Sequence, residues 1–239
     1  MADTAWGRLS LAKKQLQLAI SEEDYPTAAK LRDQIKDFES ALPPNQRIIA
    51  GLIAKLDDRA TEPREKITAA QRLGDLGSAQ ALPILQSSLS DPSIADIAES
   101  SMWSIFMTPP DDEVASRLFL EGLALLNKQA TFNQALEKFT SAIEKDPSFA
   151  EGYNKRATVL YLMGKHREAI EDCRIVLELN PYHFGACSGM GMCAASIGDY
   201  ELALTAFKKA LEINPQLEHL RHHILELQAL LQRSSEETS

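Results

Sequence analysis

An all-α helical-repeat solenoid is predicted by three features of this 239-residue sequence. Pro147, Pro181 and Pro215 recur at intervals of 34 residues, each closing a similar phrase: AIEKDP, VLELNP, ALEINP. Apolar residues recur at three- and four-residue steps on either side of short turns, the spacing of amphipathic helices. The first forty residues repeat that spacing as two helices around a turn, SEED.

The carboxyl-terminal elements follow from the period. Ala135, Ala169 and Ala203 keep the interval of 34, as do Phe139, Cys173 and Phe207, and Ala142, Val176 and Ala210. Each copy reads as two helices, and the proline ends the second because it lacks an amide donor and restricts the residue before it. This pattern resembles the tetratricopeptide repeat. Gly164 and Gly198 fit its internal turn, and Tyr153, Leu160, Phe132 and Tyr200 take places that the family fills with bulky apolar residues. The first copy carries one extra residue in its turn, LLNKQATFNQA. After the third copy, Leu217, Leu220, Ile224, Leu227 and Leu231 lie at helical spacing and should cap the last repeat. The expected domain covers residues 114–233, with 234–239 as a disordered tail.

Residues 9–39 place Leu9, Leu16, Ala19 and Ile20 on one helical face and Tyr25, Ala28, Leu31, Ile35 and Phe38 on a second. Asp24 suits an N-cap and Pro26 the first turn of the helix that follows. The stretch resembles the UVR motif through Glu23, Asp24, Tyr25, Ala28, Ala29, Leu31, Arg32, Asp33 and Ile35. That resemblance implies a helical hairpin, residues 1–44, that binds other proteins, with Tyr25, Arg32 and Asp33 as contact residues. UVR hairpins occur in excision-nuclease subunits, in regulators of Clp-type proteases and in plastid proteins, so a Clp-type unfoldase or protease component is the partner it implies. A hairpin this short buries too little surface to stand alone. Between the two regions, residues 45–108 resemble a HEAT-type repeat through the pattern A..LG.LG...ALP.L...L.D, and MTPPDDE (107–113) reads as a joint.

The stretch GACSGMGMCAAS raises two cofactor readings. Gly189 to Ala194 satisfies G-x-G-x-x-A, but a nucleotide loop must follow a strand, and the preceding segment reads as helix. Cys187 and Cys193 are six apart, so on a helix their side chains diverge by roughly 120°. With Cys173 they read as small buried hydrophobes, and no disulfide framework is suggested. No cofactor is predicted. His219, His222 and His223 lack the companion ligands of a metal site, and no catalytic motif is present, so no metal and no enzyme are predicted.

In the register that the family resemblance supplies, a concave groove would be lined by Asn154, Lys155, Thr158 and Tyr161 in the second repeat and by Gly185, Ser188, Gly189 and Met192 in the third. Glu151 is a neighbouring groove position. Two readings of the glycines stay open: a floor bare enough for a peptide ligand, or plain tolerance of glycine in a helix. The carboxylate clamp of chaperone-binding members is missing, because its places fall near Phe119 and Leu123, then Lys155, Gly185 and Gly189. A heat-shock chaperone tail is therefore disfavoured.

The formal charge of −9 carries no basic segment for a phosphate backbone, which argues against direct nucleic-acid binding. No apolar run suits a membrane span, and three clustered cysteines suit a reducing compartment; the UVR resemblance, through the plastid proteins that share the motif, implies a chloroplast stroma or a bacterial cytoplasm. The expected function is a non-enzymatic adaptor or scaffold whose hairpin and groove bind different proteins or peptides. A nucleic-acid repair accessory is the alternative, opposed by the charge, and a nucleotide-dependent enzyme is opposed by the missing strand.

Overall fold

The computed structural model describes residues 4–237, with side chains through Arg233. Among them are thirteen α-helices and no strand. The chain forms two compact units, residues 1–73 and 74–239. The division falls within the 45–108 segment expected as one HEAT-like region, and the joint at 107–113 lies inside the second unit.

The first unit holds α1 (Ala5–Ser21), α2 (Tyr25–Ala41), α3 (Pro44–Asp57) and most of α4 (Pro63–Asp75). Asp24 caps α2, accepting a hydrogen bond from the Thr27 amide at 3.1 Å, and Pro26 sits in the first turn, where its missing donor costs nothing. Glu23 takes φ of +59° in the turn between α1 and α2. Ala19, Ala28 and Leu31 form one apolar cluster of the hairpin. The other joins Leu9, Ala12 and Ile35 to Leu42 and to Ala50 of α3. The helix after the hairpin thus supplies the apolar surface that two short helices lack. Ile20 and Tyr25 differ from the expected faces: they are 46% and 66% exposed, while Ala12 takes an inward position.

The second unit continues with α5 (Leu82–Ser88) and α6 (Ala95–Phe106), then three helix pairs: α7 (Glu113–Ala124) with α8 (Phe132–Lys145), α9 (Ala150–Leu162) with α10 (His166–Leu179), and α11 (Phe184–Ser196) with α12 (Tyr200–Ile213). Gly164 and Gly198 hold φ of +75° and +80° inside the second and third pairs, where a side chain would be strained. The extra residue of the first pair is absorbed by a 3₁₀ turn, Gln129–Thr131, fixed by the Thr131 hydroxyl donating to the Leu125 carbonyl at 2.6 Å.

The 34-residue period reappears between pairs as a repeated turn. Asp146, Asn180 and Asn214 each accept from the amide two residues on, in Ser148, Tyr182 and Gln216, at 3.0, 3.1 and 3.0 Å. Each proline lies within such a turn. Packing inside a pair follows a volume trade. A Cβ added at Gly122 would stand 2.7 Å from Phe139, and one at Gly191 2.5 Å from Phe207. In the middle repeat the same register places Ala157 and Cys173, a larger residue with a smaller one. The last helix, α13 (His219–Glu237), buries Leu220 and Leu227 as the cap requires. It is helical into the 234–239 segment expected as disordered; residues 238–239 lie outside the described residues.

Candidate functional site

Two surfaces carry the expected contact residues, one in each unit. On α2, Tyr25, Ala29, Arg32 and Lys36 follow at i, i+4, i+7 and i+11, so they share one face. All four are exposed, and Asp33 is exposed on the edge beside them.

In the second unit the expected groove positions lie on α9 and α11, the first helices of the second and third pairs. Among them is a buried polar cluster around Glu151, 1% exposed at the start of α9. The Asn154 amide donates to both carboxylate oxygens at 3.1 Å, and the Lys155 ammonium pairs with Oε1 at 2.9 Å. His183, from the turn before α11, places Nε2 2.8 Å from Oε2. Its Nδ1 accepts from the Ala186 amide at 3.0 Å, so the ring proton belongs on Nε2 and points at the carboxylate. His183 is thereby the N-cap of α11 and the tie between consecutive repeats. Burial pushes the Glu151 carboxyl up, but the His183 hydrogen bond and the surrounding charge, Lys155 included, more than offset this and hold it below its ordinary value.

Two expected groove donors, Asn154 and Lys155, are thus committed to Glu151. Thr158 is exposed, donating its hydroxyl to the Asn154 carbonyl at 2.9 Å. Tyr161 is half-buried against His166. Further up the repeat, Arg156 grips Asp172 with two hydrogen bonds of 2.8 and 2.7 Å, locking α9 to α10. That partnership raises the Arg156 pKa.

The third repeat divides. Gly185 is not a bare floor, because Trp103 of α6 lies over it, and a Cβ there would stand 2.6 Å from Cη2 of the indole. Gly189 is bare: an added Cβ would meet only the Cys173 sulfur, at 3.8 Å. Ser188 is half-buried and Met192 is exposed beside it. Of the expected positions, Thr158 and Met192 are thus exposed, Tyr161 and Ser188 half-buried, and Gly189 without a side chain over it.

Trp103 belongs to a contact that periodicity did not reveal. Phe106, one helical turn on, stacks on the His183 ring at 4.3 Å between centroids, and Trp103 meets Phe184 edge-on at 5.1 Å. At the other end, Gln86 of α5 donates to the Ile213 carbonyl at 3.4 Å, and Gln216 donates to the Leu89 carbonyl at 3.0 Å. Helices α5 and α6 thus lie along the turns between repeats. With them they line an open pocket of about 570 Å³ that includes Phe106, Pro109, Ser148, Glu151, Tyr182 and His183. The only local signal was the aromatic spacing of Trp103 and Phe106.

The three cysteines are buried and unpaired. Burial pushes Cys173 up to about 12 and Cys187 and Cys193 up to about 11. His222 and His223 both reach Glu226 on the exposed side of α13, at 3.0 and 3.6 Å. Among the described residues, no group of histidines, cysteines and carboxylates is arranged to hold a metal ion, and no helix is long and apolar enough to cross a membrane.

Comparison with known proteins matches the tetratricopeptide repeat family to residues 150–183 and 185–217, the second and third helix pairs. The UvrB/uvrC motif matches residues 8–41. A TPR repeat-containing protein of Rhizobium etli is 40% identical over 81 residues, which is 34% of this chain and 40% of that protein. Hsp70-Hsp90 organizing protein 1 of Glycine max is 23% identical over 192 residues, 80% of this chain and 28% of its own length. The chain spans less than half the length of these curated relatives. Among solved structures, the first TPR of Spaghetti (RPAP3), bound to the HSP90 peptide SRMEEVD, superposes with a TM-score of 0.48 at 22% identity, covering 51% of this chain and 95% of that one.

Proposed function

The chain carries tetratricopeptide repeats over residues 150–217 and a UVR motif over residues 8–41, and on that premise we propose that it is a non-enzymatic adaptor holding two proteins at once. The observation that carries this reading is the exposed face of Tyr25, Ala29, Arg32 and Lys36 on a hairpin whose core is closed by α3. A closed core removes the need for a structural partner, so the exposed aromatic and the two cations are available for recognition. Binding one protein there and another at the repeats would raise each one's effective concentration for the other.

The partner of the hairpin is proposed to be a Clp-type unfoldase or protease component, from the UVR resemblance. For the repeats, the proposed contact surface is Thr158, Tyr161, Ser188, Gly189 and Met192, which favours an internal peptide segment with small or apolar side chains. A C-terminal carboxylate is disfavoured. Lys155 is paired with Glu151, Phe119 is fully buried in the core of the first repeat, and Trp103 covers Gly185.

Affinity capture with the whole chain tests the adaptor reading. Tyr25→Ala with Arg32→Glu should lose one set of partners and keep another, while helicity and unfolding midpoint stay unchanged. Retention of every partner at unchanged affinity would exclude the hairpin as an interaction site.

A further inference from the structure

We infer that one side of the UVR hairpin is a docking surface for an acidic protein segment that carries an apolar side chain between its carboxylates; this rests on the adaptor reading and names the chemistry of the hairpin's partner. Ile20, which the helical period places inward, is left 46% exposed. The Lys13–Glu39 ion pair, 2.9 Å, marks the seam where α1 and α2 meet on that side of the hairpin. The helices run antiparallel, so seven residues on in α1 and seven back in α2, Ile20 and Arg32 lie on that same side of the seam. Tyr25, 66% exposed, lies seven residues before Arg32 on the same face of α2. Ile20 and Tyr25 therefore form an apolar patch at the turn end, with Arg32 beside it and Lys36 one turn further along.

Charge selects the occupant. Arg32 and Lys36 make no ion pair among the described residues, whereas the acidic groups nearest the seam are engaged: Glu39 with Lys13, and Asp24 with the Thr27 amide. Asp33 and Asp37 lie towards the outer edge of α2 by helical register, and Glu22 and Glu23 sit in the turn. Ala29, between Tyr25 and Arg32 on the exposed face, leaves room for a side chain to lie down. An aliphatic or aromatic residue of the partner covers Ile20 and Tyr25, and its flanking carboxylates meet the guanidinium fork of Arg32 and the Lys36 ammonium.

The probe is a random dodecapeptide phage library panned on the full chain. The expected result is enrichment of sequences with Asp or Glu flanking a Leu, Ile, Phe or Tyr. A synthetic peptide of the enriched sequence should bind about tenfold more weakly to Arg32→Glu with Lys36→Glu, and to Ile20→Ser with Tyr25→Ala, and should weaken as salt is raised. All four substitutions are at exposed positions, and circular dichroism verifies folding. Enrichment of basic or wholly apolar sequences, no enrichment, or equal binding by the variants would overturn the proposal. The two readings fail separately. Loss of captured partners in Tyr25→Ala with Arg32→Glu, without any effect of salt or of Lys36→Glu, would remove the acidic occupant and leave the hairpin as an interaction site. Unchanged capture would remove both.

Discussion

His183 and Glu151 lie 32 residues apart in sequence and 2.8 Å apart in space, with both side chains buried. One ring nitrogen holds the carboxylate at the start of α9 and the other caps α11 through the Ala186 amide. Removing the ring uncaps a helix and takes away one of the carboxylate's donors. His183→Ala should therefore cost about 2–4 kcal/mol in urea unfolding, and Glu151→Ala, which strands the Lys155 ammonium and the imidazole N–H, a similar amount. A loss below about 0.5 kcal/mol for either would show that the network does not hold the repeats together.

The same cluster sets a pH dependence. The folded chain holds the Glu151 carboxyl below its ordinary value, so on acidification the unfolded state takes up its proton first. The stabilisation is fully present above the ordinary glutamate value of about 4.3 and is lost as pH falls through the lower folded value. Unfolding free energies measured from pH 7 down to 3 should fall more for the wild type than for Glu151→Gln, so the two curves converge at the acidic end. Parallel curves would mean that Glu151 takes no part in acid unfolding.

Local chemistry made much of the fold legible. The proline period announces the helix pairs, because each proline sits in a turn capped by Asp146, Asn180 or Asn214, and Asp24 followed by Pro26 marks the start of α2. Two kinds of fact were not legible. Ile20 and Tyr25 satisfy the helical period, yet a hairpin of two helices has one shared face, and residues at its margins remain in water. Trp103 meets Gly185 across some eighty residues of sequence, a contact no short-range pattern encodes. Glu151 and Lys155 read as a polar groove face for the same reason, since the imidazole that draws the carboxylate inward comes from the next repeat.

Thiol reactivity follows from burial. With Cys173 pushed up to about 12 and its neighbours to about 11, the thiolate fraction of each near pH 8 is on the order of one part in a thousand or less. Native chain treated with iodoacetamide at pH 8 should show no mass increase over hours, while the same reagent in concentrated guanidinium should label all three cysteines. Prompt labelling of Cys187 or Cys193 in the native chain would reveal an opening of α11 that the packed structure does not contain.

Three glycines of one helix separate packing from open surface. At Gly189 the added methyl meets only the Cys173 sulfur, at 3.8 Å, so Gly189→Ala should gain up to about 1 kcal/mol from helix propensity alone. At Gly191 the methyl would fall 2.5 Å from Phe207, which is buried, and the substitution should cost about 1–3 kcal/mol despite the same propensity gain. Gly185 is the informative position, because its nearest obstacle is Cη2 of Trp103 at 2.6 Å, with Cε1 of His183 behind it at 3.3 Å. Gly185→Ala should be destabilising in the wild type and clearly less so in a Trp103→Ala background, a coupling of about 1–2 kcal/mol in a double-mutant cycle. Additive effects would mean that α6 does not rest on the third repeat. Gly189→Leu then tests the groove itself: the variant should fold with a midpoint no lower than the wild type's and lose a peptide that crosses the floor between Thr158 and Met192. Unchanged binding by that variant would place the peptide elsewhere on the repeats, whereas unfolding would show that the floor at Gly189 is a packing contact.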